Sequence, residues 1–149
     1  MRSLACAGAG FLLCVLWFDL MFDVQARRHP DDDVPAEARA SIAAYYARVT
    51  TAARPMNRLI AAVMVTTIGA TVAELVGDDL PAWRAGSALV LTLGAVGLAA
   101  GRTVSNAQRL GRRSDDAAEQ SRLARTILRD HLLCFAAIAI VLVLQLAPV

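Results

Sequence analysis

The chain has 149 residues, 57% of them hydrophobic, with 15 basic and 13 acidic side chains and a formal net charge of +2. Its mean hydropathy is +0.51, and the apolar residues gather in long uncharged runs rather than in the periodic scatter of a soluble core. So small a charge gives no basis for nucleic-acid binding, and the length leaves no room for a second domain beside a membrane one.

Four runs, 3–24, 56–76, 82–101 and 132–147, are long enough to span a bilayer at about 1.5 Å per residue. They predict an all-α fold: an integral membrane four-helix bundle with an amphipathic interfacial helix in the first cytoplasmic segment. Every basic residue is Arg. Arg27, Arg28, Arg39, Arg48, Arg54 and Arg58 lie around the first connection, and Arg102 to Arg129 hold seven more around the third. The short second connection has only Arg84. The positive-inside rule then places both long segments in the cytoplasm and both termini outside, in a multi-pass protein of a bacterial inner (plasma) membrane. A leader cleaved near Val24-Gln25-Ala26 would export the basic segments, so the first run is read as a retained helix.

That first helix ends in Trp17-Phe18-Asp19-Leu20-Met21-Phe22-Asp23, which puts two carboxylates four residues apart on one helical face. A carboxylate at that depth is expected to face protein, water or a ligand rather than lipid. A polar turn, His29 to Asp33, follows. A helical pattern after Pro35 then sets Ile42, Tyr45, Tyr46 and Val49 on one side, predicting a helix on the inner membrane surface with its tyrosines at headgroup depth.

The second run opens with Asn57 and Arg58 and carries a small-residue stripe, Gly69, Ala73 and Gly77. Its Glu74 is expected to snorkel to the interface. A short turn through Asp78 and Asp79 makes a hairpin with the third run, where Gly97 and Gly101 form a GxxxG pattern. Both stripes suit close packing in the bundle or a homo-oligomer. Asp116 and Glu119 resemble a capping box for a last helix that continues unbroken into the fourth run.

Folded antiparallel, the spans bring their cytoplasmic ends together. Asp19, Asp23 and His131 form the candidate catalytic group, with Asp19 as general acid or proton shuttle. Trp17, Phe22, Asn57, Arg58, Arg102, Asn106, Arg129 and Asp130 form the candidate substrate-binding shell, in which Arg102 or Arg129 stabilises an anion. No metal-ligand spacing occurs, Cys6, Cys14 and Cys134 form no CxxC pair, and no cofactor is implied.

At Asn106 and Asp130-His131 the chain resembles the anthrone-oxygenase-like group of small four-helix membrane proteins, which have an Asn-containing segment after the third helix and an Asn-His pair at the start of the fourth. This chain departs from them in carrying Asp130 at the Asn place, in lacking a tryptophan before it, and in the two acids of its first helix. The resemblance implies a compact bundle and cofactor-free chemistry on lipophilic, polyketide-like molecules, with His131 as the position to test.

The function expected is a membrane-embedded enzyme acting on a lipophilic small molecule from the inner leaflet. Its reaction would be isomerisation, acid-triggered cyclisation, epoxide opening or cofactor-free oxygenation. The alternative is a non-enzymatic accessory subunit or an oligomeric proton-coupled transporter. An enzyme predicts a closed pocket beside Asp19, bounded by all four spans.

Overall fold

A computed structural model describes residues 1–28, 33–77 and 80–148. The polar turn at His29 to Asp32 and the hairpin residues Asp78 and Asp79 lie outside the described residues.

Helix α1 (Arg2–Asp23) leads through a 3-10 segment, Val24–Arg28, toward α2 (Ala36–Ala47). A π-turned segment, Arg48–Ala52, joins α2 to α3 (Arg54–Val76), whose first turn holds Pro55, where no intrahelical N–H is needed. Helix α4 (Ala82–Leu98) runs through a second π segment, Ala99–Thr103, into α5 (Val104–Arg112). Helix α6 (Ala117–Leu146) is unbroken for 30 residues. Its N-cap is Asp116, which accepts the Glu119 N–H at 2.8 Å, as the sequence pattern predicts. Glu119 itself turns to Arg122 and Arg109.

Four of these helices are long and apolar enough to cross a membrane. They pack as a square: α1 touches α3 and α6, and α4 touches α3 and α6, with the starts of α1 and α4 meeting the end of α6 through Arg2 and Arg84. The core of the square includes Ala9, Leu12, Ala88, Ile138 and Val141.

The continuous run from Ala82 to Arg112 has 31 residues, or about 46 Å at 1.5 Å each, against a hydrocarbon layer of about 30 Å. Apolar length alone therefore cannot account for it. The excess, with the first half of α6 and all of α2, builds a cap at one end of the bundle around Ile42, Tyr46, Leu110, Leu123 and Ile127. The apolar side of α2 is consequently turned onto α5 and α6, with Ile42, Ala43 and Tyr46 buried. It was expected to meet a membrane surface. In the folded chain, protein covers it.

The close helix approaches are not at the expected glycines. A Cβ on Gly69, Gly97 or Gly101 would meet nothing within 4 Å, so those stripes face outward. A Cβ on Gly8 would collide with Thr67, bringing α1 against α3. One on Gly111 would stand 2.8 Å from the Ala47 backbone nitrogen, which lets α5 lie on α2. Backbone cannot swing aside as a side chain can. Gly111→Ala is therefore expected to push the two helices apart and destabilise by about 1–3 kcal/mol. Thermal unfolding in detergent checks this, with Gly97→Ala as the silent control.

Candidate active site

Asp19 and Asp23 point from the last turn of α1 into the seam between the bundle core and the cap core. Neighbouring Leu16 packs on the first and Leu20 on the second. Helix α6 crosses the same seam, with Leu128 in the cap core and Cys134 in the bundle core, and His131 between them. Helix α2 supplies the third wall through Tyr45 and Tyr46.

Asp23 is fully buried. Its Oδ1 accepts the Tyr46 hydroxyl at 2.6 Å, and its Oδ2 lies 2.6 Å from His131 Nδ1. In this bond the carboxylate oxygen accepts and Nδ1–H donates. Tyr46 is also 3.4 Å from that nitrogen, closing a three-membered polar knot. The other ring nitrogen, Nε2, stands 3.9 Å from Asp19 Oδ2, within ion-pair range and beyond hydrogen-bond length. Asp19 Oδ1 in turn accepts the Tyr45 hydroxyl at 2.6 Å. The groups form one chain: Tyr45, Asp19, His131, Asp23, Tyr46.

Its two ends differ. Asp23 is sealed, while the Asp19 side chain keeps 17% of its surface exposed. Burial first, and then the adjacent Asp19 carboxylate, pushes the Tyr45 phenol above its ordinary range; burial and Asp23 do the same for Tyr46. Both tyrosines stay protonated and donate. Phe22 stacks on Tyr45 with ring centroids 4.1 Å apart, which holds the phenol toward Asp19.

The predicted catalytic group thus converges, but its shell only in part. Asp130 turns the other way along α6 and is fully buried in a pair with Arg102, which donates from both Nε (2.9 Å) and Nη2. Thr103 adds a hydroxyl to the same carboxylate at 3.2 Å. Arg102 is thereby committed to Asp130 and not placed to stabilise an anion at Asp19. Among the described residues, no hydrogen bond ties Asn57, Arg58, Asn106 or Arg129 to the cluster, and Arg58 and Arg129 are exposed. Trp17 lies on the outside of α1, 6.4 Å from the Phe135 ring. Arg102→Leu is expected to lower the unfolding temperature by several degrees, since it leaves Asp130 buried with only a hydroxyl. Arg129→Leu is expected to change little. Differential scanning fluorimetry separates the two.

Tyr45 and Tyr46, which the helical pattern sets at headgroup depth, bond instead to Asp19 and Asp23. A signal was available. They are the chain's 2 tyrosines, adjacent on a helix, and a buried phenol requires a polar partner.

One cavity of about 210 Å³ lies between α2 and α5, beside Thr50, Gln108 and Arg112. Another of about 300 Å³ is an apolar groove between α4 and α6, beside Gly94, Leu98 and Leu133. The closed pocket expected beside Asp19 is neither of these; Asp19 bonds to Tyr45 of α2 and faces His131 of α6. Among the described residues, no three or more His, Cys, Asp or Glu side chains converge as a metal-ligand set. What the arrangement can do is hold and pass protons at an edge lined by apolar surface.

No family model matches the chain, and no curated protein or solved structure is significantly similar to it.

Proposed function

We propose that this protein is a membrane-embedded acid–base enzyme, with Asp19 and His131 as its proton-transfer groups, acting on a lipophilic small molecule. One observation carries the reading. The His131 ring is anchored at Nδ1 by sealed Asp23 and turns Nε2 toward Asp19, the carboxyl with an open edge. A buried carboxylate on one imidazole nitrogen sets the tautomer and makes the other a better proton acceptor.

Asp23 and Tyr46 position the ring, and Tyr45 positions Asp19. The substrate reaches Asp19 along the surface of α1, where Trp17, Phe18 and Met21 are each more than half exposed. Such groups suffice for isomerisation, acid-triggered cyclisation, epoxide opening or cofactor-free oxygenation. The resemblance to anthrone-oxygenase-like proteins supports the same histidine. The arginine distribution supports a bacterial inner membrane location with the cap in the cytoplasm, α2 beside the inner surface and both termini outside.

The test compares lipid extracts of membranes holding the wild-type, Asp19→Asn and His131→Asn proteins at equal abundance. A lipophilic precursor should accumulate in both variants and its product in the wild type alone. Identical extracts from all three would sink the proposal.

The outward Gly69, Gly97 and Gly101 favour a second reading, an accessory subunit or homo-oligomer that uses these stripes as its interface. Under it, Asp19→Asn leaves extracts unchanged and Gly97→Leu breaks the assembly.

A further inference from the structure

The apolar groove between α4 and α6, about 300 Å³ in volume, lies in the cap-side half of those helices. Buried Ala95 and Cys134 form its floor, where the thiol donates to the Ala95 carbonyl at 3.5 Å. Val90 and Leu133, both well exposed, form its rims. Gly94 leaves the space between them open, since a Cβ there would meet nothing within 4 Å. From Val90 to Leu98 the groove follows α4 for about 12 Å, at 1.5 Å per residue.

Its end toward the cap is basic. Arg102 follows Leu98 by four residues and Arg129 precedes Leu133 by four, so each stands about one turn beyond a groove-lining residue. Arg102 gives Nε and Nη2 to Asp130, yet its side chain is 54% exposed and its Nη1 has no partner among the described residues. Arg129 is exposed and, among the described residues, forms no hydrogen bond or ion pair. Asp130 offsets one of the two charges, so one net positive charge remains at the mouth. Two copies of the chain in one membrane share an orientation. A two-fold contact through this groove would therefore bring both pairs of arginines to one depth, where like charges repel. An uncharged apolar molecule would leave the guanidinium donors unused. An acyl chain that ends in a phosphate fits both the slot and its charge.

We propose that this groove binds an anionic glycerophospholipid. One acyl chain lies along Gly94, and the phosphate is received by Arg102 Nη1 and Arg129. The site rests on membrane insertion of the four spans, as the proposed function does, but it uses none of the groups around Asp19. Failure here would leave the proton-transfer reading standing, and failure of that reading would leave this site standing.

Native mass spectrometry of the full chain in detergent tests it, with three probes titrated separately: phosphatidylglycerol, phosphatidylcholine of the same acyl chains, and inorganic phosphate. Phosphatidylglycerol is expected to bind one site about fivefold more tightly than phosphatidylcholine, the advantage of one cation at headgroup level. Inorganic phosphate, lacking the chain, should bind far more weakly than either lipid. Arg129→Gln should remove most of the preference, and Gly94→Leu, which fills the groove, should weaken both lipids. Neither substitution removes a packing contact or a hydrogen bond, so both variants should fold. Arg58→Gln and Gly69→Leu, on α3 and outside the groove, should change nothing. Equal binding of the two lipids to the wild type overturns the proposal. So does a preference that survives both Arg129→Gln and Gly94→Leu, or phosphate binding as tightly as the lipid. A dimer that Gly94→Leu breaks, with lipid binding unchanged, would assign the groove to a second copy and overturn it as well.

Discussion

Asp23→Ala is expected to destabilise the protein by about 3–5 kcal/mol, the range for breaking a buried charge pair from one side. Two donors, the Tyr46 hydroxyl and His131 Nδ1–H, lose their acceptor at once, and their residues are only 2% and 7% exposed. Each stranded donor carries a penalty of about 1–3 kcal/mol. That is a large share of a net stability of about 5–15 kcal/mol, so the variant should accumulate poorly. Asp23→Asn retains one carbonyl acceptor and should lose roughly half as much. A triple variant, Asp23→Leu with Tyr46→Phe and His131→Leu, removes donors and acceptor together and should recover much of the lost stability, with no activity. Thermal unfolding of the purified proteins in detergent measures all three. An Asp23→Ala variant within about 1 kcal/mol of wild type would mean that the knot is not a structural element.

Asp19→Asn is expected to behave in the opposite way. The side chain lies at the open edge, and an Asn oxygen can still accept the Tyr45 hydroxyl, so stability should change by less than about 1 kcal/mol. Conversion of the lipophilic precursor should fall by about 10²–10⁴-fold, the usual contribution of a positioned general acid or base. Tyr45→Phe, which leaves Asp19 in place without its orienting donor, should fall by a smaller factor. Rates per folded protein, with unfolding temperature measured alongside, separate the two effects. Wild-type turnover in Asp19→Asn would exclude it from the chemistry.

The two residues form a pair of opposites. They sit one turn apart on the same face of α1, bonded to adjacent tyrosines of α2. Asp23 lies where both cores close over it, and Asp19 lies where the surface of α1 opens. Depth, and not residue type, separates the sealed carboxylate from the open one, and the proposed function assigns positioning to the first and proton transfer to the second.

Several features are legible in the chain itself because they depend on local spacing. Apolar runs of sufficient length must become helices if they enter hydrocarbon, since no other local structure satisfies the backbone there. Asp116 three residues before Glu119 caps α6 because that geometry needs only four consecutive residues. The gathering of Asp19, Asp23 and His131 follows from antiparallel connection of the runs, which brings their polar ends to one side.

What the tertiary structure alone decided is direction around each helix and what covers it. Successive residues on a helix point about 100° apart, so Asp130 and His131 serve different neighbours, Arg102 and Asp23, although they are adjacent in sequence. The tyrosines of α2 became site residues because α5 and α6 extend beyond the bundle and draw that helix onto their cap. Glu74 was buried, not drawn to the surface, because Gln145 of the diagonal helix reaches it. The glycine stripes face outward because closest approach depends on which surfaces meet, and Gly8 and Gly111 occupy those crossings. Periodicity carries the length and identity of each helix; which side of it turns inward depends on contacts between residues far apart in the chain.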